Sequence, residues 1–474
     1  MKLLRNTMVA AMAGAFALPA CANDDLSVLK AELKRLSERI ESLERQNREM
    51  EKSLDSQRVS ESEPELVTRL KAVEFQTLSM QKQARQIEAL EGITVGASLT
   101  GLVQKVGARG TASGLAETRA NYRGDISVTL PGGEMGNTEG KIFGHFRFGQ
   151  GNGIGLRPTY TSSANTTAFE VGSTPADDSF GILAQAWYQL TIPLMDDGLK
   201  ANAREHLHLT AGKIDPFVFF DQNVAADDES ARFMNNTFVH NPLLDSGGDI
   251  GADAYGFAPG AIVQYVNQRE KGSEWGLSLG VFGSGPGANF TGSLSGPLVI
   301  AQAETAARFN YLPGNYRVYL WRNGRGAGYD GVEQKHAGIG VSVDQKVSDE
   351  LTLFGRHGRQ TQGKVRFDRA LTLGAELAGS PWARAADSIG LALGALRTSG
   401  DFRNDAPTVD ADGDGTPDFG YPAGGTEKQM EIYYRYRLNS HVELTPDFQW
   451  IRRAGGDGNA PTVKVFGLRA RVGF

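Results

Sequence analysis

The sequence predicts an all-β transmembrane protein, a closed antiparallel outer-membrane β-barrel of about 16 strands, or 18, with an α-helical coiled coil ahead of it. Three observations predict it. A basic and then apolar leader opens the chain, apolar and polar residues alternate from about residue 94 onward, and Phe474 closes a run with an apolar residue at every second position. Gly, at 59 of 474 residues, exceeds its usual share of ~7% and points to strands and turns rather than to a helical bundle.

Residues 1–22 read as a signal peptide: Lys2 and Arg5 form the basic start, Met8 to Leu18 the apolar run, and Ala20-Cys21-Ala22 the small-residue cleavage site. Leu18-Pro19-Ala20-Cys21 also resembles a lipid-attachment box, although its proline fits poorly, and ordinary cleavage is the reading adopted. Losing Lys2 and Arg5 takes the formal net charge from −6 to −8, which disfavours a nucleic-acid partner. Cys21 is the single cysteine, so the processed chain holds neither a disulfide framework nor a thiolate metal site. Beyond the leader no window of about 18 residues is apolar enough for a spanning helix, which leaves strands as the means of crossing a bilayer.

Residues 23–58 carry a coiled-coil seam. Leu26, Leu29, Leu33, Leu36, Ile40, Leu43, Met50 and Leu54 recur at alternating spacings of three and four, with Asn47 in the one gap and charged residues on the other faces. Self-association is the expected use, and a single helix lying on the barrel is the alternative. Residues 59–92 form a linker and a second helical segment: Ser60 to Pro64 breaks the pattern, Leu66, Leu70, Val73, Met80 and Ile87 give a weaker seam, and Gly92 ends it.

Residues 93–474 form the barrel. The period is now two: Ile142, Phe146 and Phe148 oppose Lys141, His145 and Arg147; Tyr188 and Leu190 oppose Trp187 and Gln189; Val318 and Leu320 oppose Arg317, Tyr319 and Trp321. Near the end, Ile432, Tyr434 and Tyr436 oppose Glu431, Tyr433 and Arg435. A soluble sandwich alternates in the same way. The closing Phe474 run distinguishes the two, because it resembles the signal by which bacterial outer-membrane barrels engage their assembly machinery. Sixteen strands of ~10 residues leave roughly 14 residues per connection, and eighteen also fit.

Several stretches resemble the carbohydrate-selective porin (OprB-type) family of Gram-negative bacteria. They include Arg147-Phe148-Gly149-Gln150-Gly151, His208 to Pro216, Phe219-Phe220-Asp221-Gln222-Asn223, Arg232 to Asn236, Val343 to Val347 and Leu353 to Arg356. The most specific are Glu431-Ile432-Tyr433-Tyr434-Arg435-Tyr436, Leu444 to Gln449 and Gly455-Gly456. The resemblance implies a passive pore for mono- or oligosaccharides in a Gram-negative outer membrane, with lipid and lipopolysaccharide around it and the N-terminal segment in the periplasm, in reach of peptidoglycan. The alternatives are a porin for organic acids or other small anions, and an envelope tether working through the coiled coil.

A sugar pore must replace hydroxyl hydration without holding the solute. Forked cations, carboxylates and aromatic faces suit that task, and His145, Arg147, Trp187, Arg317, Tyr319, Trp321, Glu431 and Arg435 fall on the expected inward face. The block from Asp215 to Asp249 breaks the alternation and reads either as a loop folded into the barrel or as ordinary strand–loop packing; Asp221 and Arg232 are its candidate solute contacts. No cofactor is required. Asp410, Asp412, Asp414 and Asp418, with Gly415, give the first positions of a calcium loop, but Tyr421 stands where the closing Glu belongs, so a weak calcium site and an acidic surface loop are equal readings. His206 and His208 would share a face without a third ligand. No catalytic constellation stands out, and the chain is not expected to be an enzyme.

Overall fold

The computed structural model describes residues 92–157, 164–169, 178–194, 204–245, 256–285 and 292–474, with three isolated helical positions, Lys34, Ser42 and Arg45. Apart from those positions and Gly92, the expected leader (1–22), coiled coil (23–58) and second helical segment (59–92) lie outside the described residues. Thr94–Gly473 forms one compact unit.

Its strands are β1 (Thr94–Val106), β2 (Glu117–Met135), β3 (Thr138–Gln150), β4 (Phe180–Pro193), β5 (Glu205–Ile214), β6 (Ala258–Asn267), β7 (Trp275–Phe282) and β8 (Leu298–Phe309). They continue as β9 (Leu312–Ala327), β10 (Glu333–Lys346), β11 (Leu351–Gln362), β12 (Phe367–Ala378), β13 (Ser388–Thr398), β14 (Thr426–Arg437), β15 (Val442–Arg452) and β16 (Val463–Gly473). Each pairs antiparallel with its sequence neighbours, and β1 closes on β16 through pairs such as Leu99↔Val472 and Val103↔Leu468. The barrel therefore has sixteen strands and not eighteen.

The two faces are reversed relative to a water-soluble protein. Leu99, Val103, Ile142, Phe146, Leu320, Leu373, Leu393, Phe466 and Leu468 point outward and are exposed, whereas Thr100, Gln104, Arg356, Gln429, Glu431, Gln449 and Arg469 point inward and are buried. An apolar exterior around a polar interior is stable in lipid, where the outward side chains meet hydrocarbon and the closed ladder leaves no strand edge unpaired.

Because the strands alternate in direction, every odd-to-even connection falls at one end of the barrel. This long-loop rim carries β3–β4, β5–β6 and β13–β14, the last with a short helix, Gly400–Asp405. The opposite, short-turn rim has tight connections such as Met135 to Thr138 and Phe309 to Leu312.

Glycine sets how closely inward rings lie on the wall. Gly338 and Gly340 of β10 face Trp321 and Tyr319 of β9, and a methyl group at either would stand 2.1 or 2.3 Å from the facing ring. The two rings lie flat over β10 because those positions have no side chain.

Candidate pore constriction

The β5–β6 connection, described through Asp245, folds inside the barrel. The amide of Asp221 donates to Gln302 of β8, and the amides of Met234 and Asn235 donate to Glu431 of β14 at 2.6 and 2.9 Å. Asn223 donates to the Val343 carbonyl of β10. Arg469 of β16 donates to the carbonyls of Glu229 and Arg232. A segment that reaches the inward faces of β8, β10, β14 and β16 can do so only from within. Of the two readings of the Asp215 block, the infolded loop is the one found.

Local chemistry shapes the loop. Asp215 accepts from the Phe217 amide and starts the turn at Pro216–Val218, and Asn235 caps the single-turn helix Asn236–Val239 by accepting from Thr237. Its apolar side packs on the wall: Phe217, Phe219, Phe220, Leu243 and Leu244 join Trp187, Phe282, Leu298, Ile300, Tyr319 and Trp321 in one buried cluster. Phe233 and Phe238 join Phe354 and Tyr433 in another.

This packing sorts the residues expected to meet solute. Tyr319 and Trp321, at 2% and 1% exposure, lie in the joint between loop and wall, with the Tyr319 hydroxyl on Asp221. Trp187 stacks on Phe143 with ring centroids 4.7 Å apart, and Asp221 and Glu431 are fully covered by their loop and wall partners. Trp187, Tyr319, Trp321 and Glu431 are on the inward side, as expected, and Asp221 lies on the infolded loop, but the surfaces of all five are already occupied by protein. Trp187, Asp221, Tyr319, Trp321 and Glu431 hold the loop; an open face for a solute is what they lack.

The others remain partly open and are joined in ion-pair clusters. Asp125 of β2 accepts from Arg123 at 2.9 Å, His145 at 2.8 Å and Arg147 at 2.7 Å, while Arg123 also reaches Glu229 of the loop at 2.8 Å. Burial works against the Glu229 carboxylate, but Arg123 and Arg147 outweigh it and hold its pKa below the ordinary value. Arg232 of the loop meets Glu376 of β12 at 2.8 Å, and Arg435 and the Tyr433 hydroxyl share that carboxylate. Arg317 lies between Asp344 at 3.1 Å and Glu304 at 3.5 Å. Nearby His240 stacks on Phe217 and bonds Asp245 at 3.0 Å and Asp227 at 3.3 Å. Burial pushes the Asp215 carboxyl up to about 6.

Sequence reasoning missed Arg123, Asp125 and Glu376, and it met Glu229 and Arg356 only as members of the Asp215–Asp249 block and the Leu353 to Arg356 stretch, without a role at the site. Arg123 and Asp125 stand at alternate positions of β2, in register with the β3 residues Gly149 and Arg147, so the period-two pattern already placed both beside Arg147. Arg356 and Glu376 gave no such signal, because their partners are on the loop or strands away.

In the β13–β14 connection, one carboxylate oxygen each from Asp410, Asp412 and Asp418 lie within 4.8 Å of one another, and Asp414 is not of that group. Asp410 already accepts from the amides of Gly413, Asp414 and Gly415, which is how a tight acidic turn satisfies itself. His206 and His208 stack with ring centroids 5.7 Å apart.

A closed sixteen-stranded barrel, apolar outside, and narrowed by a loop tied to its inner wall, defines a porin-type channel. The chain belongs to the carbohydrate-selective porin, OprB family, whose model matches residues 66–474. Family and fold are those of channel proteins and agree with residence in a Gram-negative outer membrane. Among solved structures it is similar to the high-pH structure of Pseudomonas putida OprB, at 17% identity and a TM-score of 0.66, over 82% of this chain and 96% of that one. It is also similar to the anion-selective porin from Comamonas acidovorans, at 10% identity and a TM-score of 0.46, over 81% of this chain and 99% of that one. A comparison with curated proteins returned no match.

Proposed function

We propose that the protein is a passive channel for neutral mono- or oligosaccharides. The observation that carries this reading is the pairing of charges at the constriction: Arg147 with Asp125, Arg232 with Glu376, and Arg317 with Asp344 and Glu304. Compensated pairs leave little net field to trap an ion, yet they offer rigid donors and acceptors side by side. A hydroxylated solute can exchange its water for them one bond at a time, so it enters without being held. The same pairing argues against the organic-anion reading, which needs cations without local counter-charge.

In this reading the long-loop rim faces the exterior, and the N-terminal segment belongs to the periplasm, in reach of peptidoglycan. Transport follows the solute gradient. The test is single-channel conductance of the refolded protein in planar bilayers, titrated with glucose, longer glucans and small organic anions. Saturable block by sugars is the expected result. Block by anions alone would reassign the pore to organic acids, and no conductance would favour the tether.

A further inference from the structure

The barrel exterior is not uniform along its long-loop edge. On six consecutive strands the first or second outward position from that rim is a cation: Arg359 on β11, Arg369 on β12, Arg397 on β13, Lys428 on β14, Arg452 on β15 and Lys464 on β16, with Thr361 and Thr426 between the rim and Arg359 and Lys428. Five of the six follow directly on an outward apolar or small residue, Leu371, Ala395, Met430, Trp450 and Phe466. The strip therefore lies where the apolar band ends. Outward cations also stand near this edge on the flanking strands, Lys105 on β1 and Arg322 on β9, whereas across the barrel the outward residues there are uncharged, as with Ala120 on β2, Phe148 on β3, Val281 on β7 and Val299 on β8.

The register places like charges against one another. Arg359 is directly opposite Arg369, Arg369 opposite Arg397, and Lys428 opposite Arg452. Like charges across a ladder destabilise it. Asp368 pairs with Arg397 at 2.5 Å, but among the described residues no carboxylate pairs with Arg359, Arg369, Lys428, Arg452 or Lys464. A one-sided row of exposed, unpaired cations at the edge of a hydrocarbon-facing band calls for anions supplied by the surroundings. Guanidinium forks match phosphate oxygens two at a time, and both Lys and Arg side chains can lay their stems on apolar surface while the head stays at the interface.

We propose that the long-loop edge of β11–β16 is a docking surface for the phosphate groups of a phosphorylated glycolipid in the outer leaflet. Such a lipid puts its acyl chains on the apolar band and its phosphates on the strip, and it neutralises the repulsion between facing arginines. The sites fix one side of the barrel, leaving β2–β8 to ordinary lipid or to a second copy. The inference rests on the barrel lying in a bilayer, which conductance tests separately.

The experiment titrates the refolded full chain in micelles with bisphosphorylated lipid A, with the same lipid after phosphatase treatment, and with inorganic phosphate, reading bound lipid by native mass spectrometry. The variant replaces Arg359, Arg369, Lys428 and Arg452 together by Gln. Expected are binding weakened at least about tenfold in the variant and for the dephosphorylated lipid, with conductance unchanged. Replacing the three arginines by Lys should restore most of the affinity. Equal affinity of the variant, or of the lipid without phosphate, overturns the proposal, as does inorganic phosphate displacing the lipid at equal concentration. Should the fourfold variant fail to insert, Arg369→Gln and Arg452→Gln singly must each weaken binding measurably, and no effect from either overturns it.

Discussion

The Arg356 guanidinium and the Asp221 carboxylate form an ion pair 3.2 Å long in which neither side chain is more than 1% exposed. Asp221 also accepts from the Tyr319 hydroxyl and the Asn241 amide, and Arg356 also donates to the carbonyls of Phe238, Asp221 and Ala226. One pair thus joins β9 and β11 to both ends of the infolded loop. Because a buried charge is costly once its partner is removed, Asp221→Ala should lower stability by about 3–5 kcal/mol. The loop would loosen with it. Denaturant unfolding of the refolded barrel should show the loss and single-channel recordings a larger, noisier current; a variant with native stability and conductance would mean that the pair does not hold the loop.

Glu431 is the second anchor, with one carboxylate oxygen for each of the Met234 and Asn235 amides. Glutamine keeps the shape but has only one acceptor atom, so Glu431→Gln should leave one buried N–H facing an N–H₂ group. The expected cost is about 1–3 kcal/mol. Limited proteolysis should then cut within 215–245 faster than in the wild type, while the strands stay intact. Unchanged cleavage would show the two bonds to be dispensable.

The barrel was legible because its signals are local: inward and outward residues alternate along a single strand, and the Ile142, Val318 and Phe466 faces all point as their spacing says. The strand number was not, since closure of β1 on β16 is a long-range pairing that connection lengths of very different size can satisfy. At the constriction, alternation placed Arg147, Arg317 and Trp321 inward but could not tell which the loop would cover. Trp321 is covered because Phe219, Phe220 and Leu244 come from a segment about a hundred residues earlier with no period of its own. Aromatic residues in that loop were the available clue: five aromatics from Phe217 to Phe238 need apolar partners, and the inward Trp187, Tyr319 and Trp321 serve Phe217, Phe219 and Phe220, while Phe354 and Tyr433 serve Phe233 and Phe238.

Removing the open cations should change what the pore selects. In Arg147→Ala combined with Arg317→Ala, Asp125 keeps Arg123 and His145, but Asp344 loses its guanidinium partner. The lumen becomes more negative, so the reversal potential across a salt gradient should move toward cation preference, and block by sugars should weaken. If both flux and ion selectivity are unchanged, these residues do not line the path.

His240 links the loop to pH. Its ring is sandwiched on Phe217 and bonded to Asp245 and Asp227, with Asp215 and Arg356 as the other nearby charges. Burial favours the neutral imidazole, yet the two carboxylates outweigh it and the pKa is pushed up to about 10 from an ordinary 6.5. A group whose folded pKa is raised stabilises fully below its unfolded value and loses that contribution as pH rises through the folded one. The contribution, no more than about 5 kcal/mol, should therefore be complete below pH 6.5 and gone above about pH 10. Thermal midpoints of the wild type and of His240→Asn, measured across that window, should differ most at its acid end and converge at its alkaline end. A gap that stays constant from one end to the other would show that His240 is uncharged in the folded loop and holds it by stacking alone.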